Sequence, residues 1–79
     1  MWRKGTITVN GRAYLYCAKV YETGSEFGIG GGRVSKLTIV ADDAESWHDP
    51  IAHYDRGWDV IPRTSGTIFV LEAVLDLFE

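Results

Sequence analysis

A single cysteine, Cys17, leaves the chain without a partner for an internal disulfide. One unbridged thiol suits a reducing compartment. No apolar stretch approaches the roughly 18–20 residues of a membrane span. No secretory leader is visible: Met1-Trp2-Arg3-Lys4 runs directly into a strand pattern with no apolar segment behind it. A cytoplasmic location and no membrane association are therefore expected. Positive charge is also scarce. Eight Lys and Arg stand against eleven Asp and Glu, a formal net charge of −3. That excludes a protein that coats bulk nucleic acid, which needs many phosphate contacts.

What is present is short and aromatic. Residues 1–79 make one domain. So small a core often leans on a metal, a disulfide or a second subunit, and a homo-oligomer is expected. Three Trp, four Tyr and three Phe are more than one small core hides. Some should line an interface or a pocket.

Thr6–Val9 and Arg12–Tyr16 flank Asn10-Gly11, the strongest short hairpin signal, since both central positions of a type I′ turn need positive φ. A two-residue loop sets Val9 opposite Arg12, Ile7 opposite Tyr14, Gly5 opposite Tyr16 and Arg3 opposite Ala18. One face then carries Ile7, Val9, Tyr14, Tyr16, Ala18 and Val20; the other carries Trp2, Thr6, Thr8, Ala13, Leu15 and Cys17. Both hold apolar groups, so both should be at least partly covered. Glu22 to Gly32 reads as loop, Arg33 to Val40 as a third strand, Ala41 to Pro50 as an acidic loop and Ile51 to Val60 as a fourth strand ended by Pro62. Gly66 to Phe78 reads as a helix, capped by Thr64 or Ser65. Its apolar arc (Ile68, Phe69, Val70, Leu71, Ala73, Val74, Leu75, Leu77, Phe78) exceeds the usual ~100°, which suggests contact with both the sheet and a second subunit. The fold class expected is α+β: a four-stranded antiparallel sheet, β-β-β-β-α, with one C-terminal helix packed on it.

Gly28-Ile29-Gly30-Gly31-Gly32-Arg33-Val34-Ser35-Lys36-Leu37 and Tyr54-Asp55-Arg56-Gly57-Trp58-Asp59 resemble the motifs of a family of small uncharacterised proteins. Trp2 to Gly11 resembles that family's opening. Its members occur in Gram-positive bacteria, their phages and prophages, and constitute a domain of unknown function. The likeness covers most of the chain and is weakest over Ala41 to Pro50 and the helix. It implies a bacterial host and an accessory phage role, interference with host defence included. It implies no chemistry.

Four of nine glycines fall between Gly28 and Gly32. The run is either a turn needing positive φ or a nest of backbone N–H groups for an anion, with Arg33 adding a bidentate contact. It matches neither G-x-G-x-x-G nor a P-loop, because a strand and not a helix follows. Tyr54, Arg56 and Trp58 share a parity along the fourth strand. Aromatics beside a guanidinium can stack a planar ring and neutralise its anion, and the same residues are favoured at protein interfaces. Arg56 paired with Asp55 or Asp59 beside a core Trp58 is the structural alternative. Candidate ligand-binding residues are therefore Gly30, Gly31, Gly32, Arg33, Tyr54, Arg56 and Trp58. His48, Asp49, His53 and Asp55 fit no standard zinc spacing, so no metal or cofactor is expected. Cys17, mid-strand among apolar neighbours, reads as a small buried hydrophobe, and no activated nucleophile is visible; an enzyme is not expected. Lys4, Arg12, Lys19, Lys36 and Arg63 are scattered singly and read as solvated surface. Gathered by oligomerisation, they would make a positive pocket.

Three functions stay open. The first is a non-enzymatic, phage-type binding protein that sequesters a small anionic, nucleotide-like ligand in a homo-oligomer. The second is an inhibitor or adaptor that covers a host protein. The third is a structural component without a ligand.

Overall fold

The computed structural model describes residues 1–43, 47 and 49–78. Five strands and one helix follow in chain order: β1 Trp2–Val9, β2 Arg12–Val20, β3 Val34–Ala41, β4 Ala52–Asp55, β5 Trp58–Val60 and α1 Ser65–Asp76. The strands form one antiparallel meander in the order β1-β2-β3-β4-β5.

The first hairpin has the register expected, with Val9 opposite Arg12 and Ile7 opposite Tyr14. Asn10 and Gly11 take φ of 53° and 79°, as a type I′ turn demands. The sheet has five strands where the sequence suggested four. The expected fourth strand is broken at Arg56-Gly57. The Arg56 N–H still bonds to β3, donating to the Ser35 carbonyl at 3.0 Å, but Arg56 adopts φ 56° and the Asp55 N–H donates to the Gly57 carbonyl at 2.9 Å. The positive φ and the Asp55–Gly57 bond fold the chain back and set Trp58 opposite Tyr54.

One face of the sheet carries the core. Ala18, Leu37, Ile39 and Ala52 from the strands meet Val70 and Val74 from the helix, with Tyr54, Val9, Val20 and Val34 around them. Phe78 closes one end, edge-on to Tyr16 at 6.0 Å between ring centres. The helix starts at Ser65, one residue earlier than expected, because Thr64 caps it: the Thr67 N–H donates to Thr64 Oγ1 at 3.1 Å. The Thr67 hydroxyl reciprocates with the Thr64 backbone, a capping box. No described helix is long and apolar enough to cross a membrane.

Among the described residues, no helix lies on the opposite face. Across it run two side-chain rows set by register. One is Trp2, Lys19, Lys36 and Asp55; the next is Lys4, Cys17, Thr38, His53 and Val60. Cys17 is half-buried in that row rather than enclosed in the core.

Candidate functional site

The loop between β2 and β3 wraps one end of the sheet. Its glycines make it a tight turn. Gly30 and Gly31 have φ of 61° and 75°, and Gly28 is buried against the Gly32 carbonyl with no room for a Cβ. The Gly31 N–H donates to the Gly28 carbonyl and the Gly32 N–H to the Ile29 carbonyl, both at 3.0 Å. Those two amides are thus engaged inside the turn. The Tyr54 hydroxyl donates to the Phe27 carbonyl at 2.8 Å, and the Phe27 N–H donates to Ser25 Oγ at 3.2 Å. The first bond fastens this loop to β4, and the second holds its own turn.

So fastened, the loop walls a cavity of about 440 Å³ on the helix-free face, lined by Lys19, Tyr21, Ser25, Phe27, Ser35, Lys36 and Arg56. Lys19 and Lys36 stand directly opposite one another on β2 and β3. Like charges so placed weaken a sheet, so folding gains nothing from that pair. Asp55 offsets part of the repulsion: its Oδ1 lies 3.7 Å from Lys36 Nζ and 3.7 Å from Arg56 Nε. Three cations against one carboxylate leave the pocket positive in an acidic protein. Its aromatic side is equally marked. The Lys19 ammonium lies 5.6 Å from the Tyr21 ring centre and 6.0 Å from that of Trp2. Hydrogen bonding with Lys19 holds the Tyr21 phenol below its ordinary pKa of 10.0; desolvation opposes it, and the Lys19 charge, Ser35 and the Lys36 charge add to the lowering. The pocket can therefore accept an anion on three donors and a flat ring against Tyr21 or Phe27.

The seven residues singled out from the sequence do not gather in one place. Arg56 lines the basic pocket. Arg33 instead lines a small cavity of about 90 Å³ with Gly32, Leu75 and Phe78, and its Nε donates to the Tyr21 carbonyl at 2.8 Å. Trp58 stacks edge-on against Tyr54 with ring centres 5.0 Å apart and lines a third hollow with Ile61, Arg63 and Thr67. Tyr54 is buried. The expected shared face for Arg56 and Trp58 fails because the turn at Arg56 breaks the strand alternation. Lys19, Lys36, Tyr21 and Phe27 were missed as site residues. The two lysines are seventeen positions apart, and the β2–β3 pairing joins them. That pairing brings the two lysines together within one chain, whereas the sequence offered oligomerisation as a way to gather such scattered cations.

A second cavity, about 510 Å³, adjoins the first on the same face, lined by Lys4, Cys17, Thr38, Trp47, Pro50, His53 and Val60. His53 Nδ1 lies 3.3 Å from Asp59 Oδ2, which favours the hydrogen on Nδ1 and leaves Nε2 as the other polar atom of the ring. Among the described residues no three His, Cys, Asp or Glu side chains cluster as metal ligands; His48 lies outside the described residues.

Fold and site together define a small α+β protein with a basic, aromatic-walled pocket on the helix-free face of its sheet. A family model for a domain of unknown function, DUF7678, matches residues 1–79, and the chain belongs to that family. No curated protein and no solved structure matches it.

Proposed function

We propose that this protein is a non-enzymatic binding protein that sequesters a small phosphate-bearing, nucleotide-like molecule. The carrying observation is the Lys19–Lys36–Arg56 cluster beside Tyr21 and Phe27 in one pocket. Opposed lysines cost the sheet and suit an anion, and exposed aromatic rings suit a base. The reading extends to an accessory role of the phage or prophage type, in the cytoplasm of a bacterial host, where removal of a nucleotide signal blunts host defence. The likeness of the glycine-run and Tyr54–Asp59 motifs to phage proteins supports that extension.

Calorimetric titration with adenosine monophosphate and adenosine triphosphate tests the binding. Saturable binding is expected, weakened about 10–100-fold by Lys36→Ala, the range for a lost charge-assisted contact. Flat titrations with both nucleotides overturn the reading.

A separate observation favours a protein contact. Trp58, Val60 and Ile61 at the β5 edge, and Ile68, Phe69 and Leu77 on the helix, are exposed, an apolar set of the kind that marks interfaces. A homo-oligomer uses this surface in the first reading; an inhibitor or adaptor uses it for a host protein in the second. Light scattering separates them, since only the first gives a defined multimer of the pure protein, lost on Phe69→Asp.

A further inference from the structure

The basic pocket has one neighbouring cavity along the strands, and the cation pair lies between that cavity and the pocket's own aromatic wall. On β2 Cys17 and Lys19 alternate, with Tyr21 just past the strand's end; on β3 Thr38 and Lys36 alternate opposite them. Alternate residues on one strand face are about 7 Å apart. The row of cations therefore lies between two hollows. On one side stand Tyr21 and Phe27. On the other is the cavity of Thr38, His53, Trp47 and Lys4. Both hollows open on the helix-free face, and the loops from opposite ends of the sheet contribute one aromatic wall each, Phe27 and Trp47.

The two hollows differ in chemistry. The first offers rings and cations. The second offers hydrogen-bonding groups set among apolar walls: the Thr38 hydroxyl, an imidazole positioned by Asp59, and the Lys4 ammonium, beside Pro50 and Val60. Such a combination reads the edge of a heterocyclic base, which needs donors and acceptors in plane and apolar contact on its faces. A mononucleotide fills the cations and one hollow and leaves the other to water.

We infer that the ligand is a dinucleotide, its phosphodiester over Lys19 and Lys36, one base against Tyr21 and Phe27, the other in the Thr38–His53 hollow. This rests on the nucleotide-binding reading and narrows its ligand class. Arg56, at the rim of the first hollow, then meets a terminal phosphate or the bridging one.

The test compares adenosine monophosphate with the 5′-phosphorylated dinucleotide pApA by calorimetry on the wild-type protein and on Thr38→Val and His53→Ala. Both positions are partly exposed on the sheet surface, and thermal melting confirms folding. The dinucleotide is expected to bind at least about tenfold more tightly than the monophosphate. Either substitution should erase most of that advantage and leave the monophosphate affinity unchanged. Equal affinity for the two ligands in the wild-type protein overturns the dinucleotide assignment while the nucleotide-binding reading stands. An advantage that survives both substitutions overturns the placement of the second base. Absence of binding by either ligand overturns both readings together.

Discussion

On the helix-covered face of the sheet, Ala18, Leu37, Ile39, Val70 and Val74 are at most 1% exposed. On the other face, Lys19, Lys36, Thr38 and His53 keep partial access to solvent. The same strands supply both sets by alternation, so each strand residue is assigned to one of two tasks by its parity. The covered face is apolar, and its closest-packed residues do nothing but hold the fold. The helix-free face buries Val40 but also places like charges opposite one another and leaves aromatic rings in water, choices that lower stability. Features that folding does not need, concentrated on one face, are what binding would require.

Substitutions on the two faces should therefore separate stability from binding. Leu37→Ala should have the largest effect on stability, about 2–5 kcal/mol, because it opens a cavity beneath the helix; urea unfolding measures it, and a loss below ~1 kcal/mol would break the division of labour between the faces. Gly28→Ala, at the turn that joins the two faces, should cost about 1–3 kcal/mol, since the new Cβ meets the Gly32 carbonyl. It should also move Phe27 and weaken nucleotide binding, a double effect that no substitution of a purely core residue shares. Lys36→Ala should leave stability within about 0.5 kcal/mol or raise it by relieving the repulsion from Lys19, while binding falls.

The smallest effect concerns Tyr21. Its lowered folded-state pKa means that the phenolate is favoured in the native protein. The resulting stabilisation is complete above the unfolded value of 10.0 and fades as pH falls through the folded value. Lys19→Met should return the Tyr21 titration, followed by ultraviolet absorbance, toward 10.0 and leave stability at neutral pH unchanged on this account. A titration curve identical in the variant would remove Lys19 as the cause.

Part of the covered face was legible in the sequence. Asn10-Gly11 set the first register and parity placed Ile7, Val9, Tyr14 and Ala18 together on one face, without saying which face the helix covers, and Thr64 or Ser65 marked the helix start. Those signals are local. The split between β4 and β5 was not legible, because a non-glycine residue, Arg56, takes the positive φ while the adjacent Gly57 draws the eye as a bulge. The pocket was less legible still. Arg56 was singled out, but Lys19 and Lys36 looked like isolated surface charges, since their meeting depends on which strand pairs with which. The glycine run drew attention for its composition, and its contribution is mechanical: it turns the chain so that Phe27 reaches the pocket wall.

The most direct test of a binding face opposite the helix is a nuclear magnetic resonance titration of the labelled protein with adenosine monophosphate. Amide shifts should concentrate at Lys19, Tyr21, Phe27, Ser35, Lys36 and Arg56 and leave Val70 and Val74 unmoved. Shifts centred on the helix or on the Trp58–Ile61 edge, with the Lys19–Lys36 pair silent, would contradict the account.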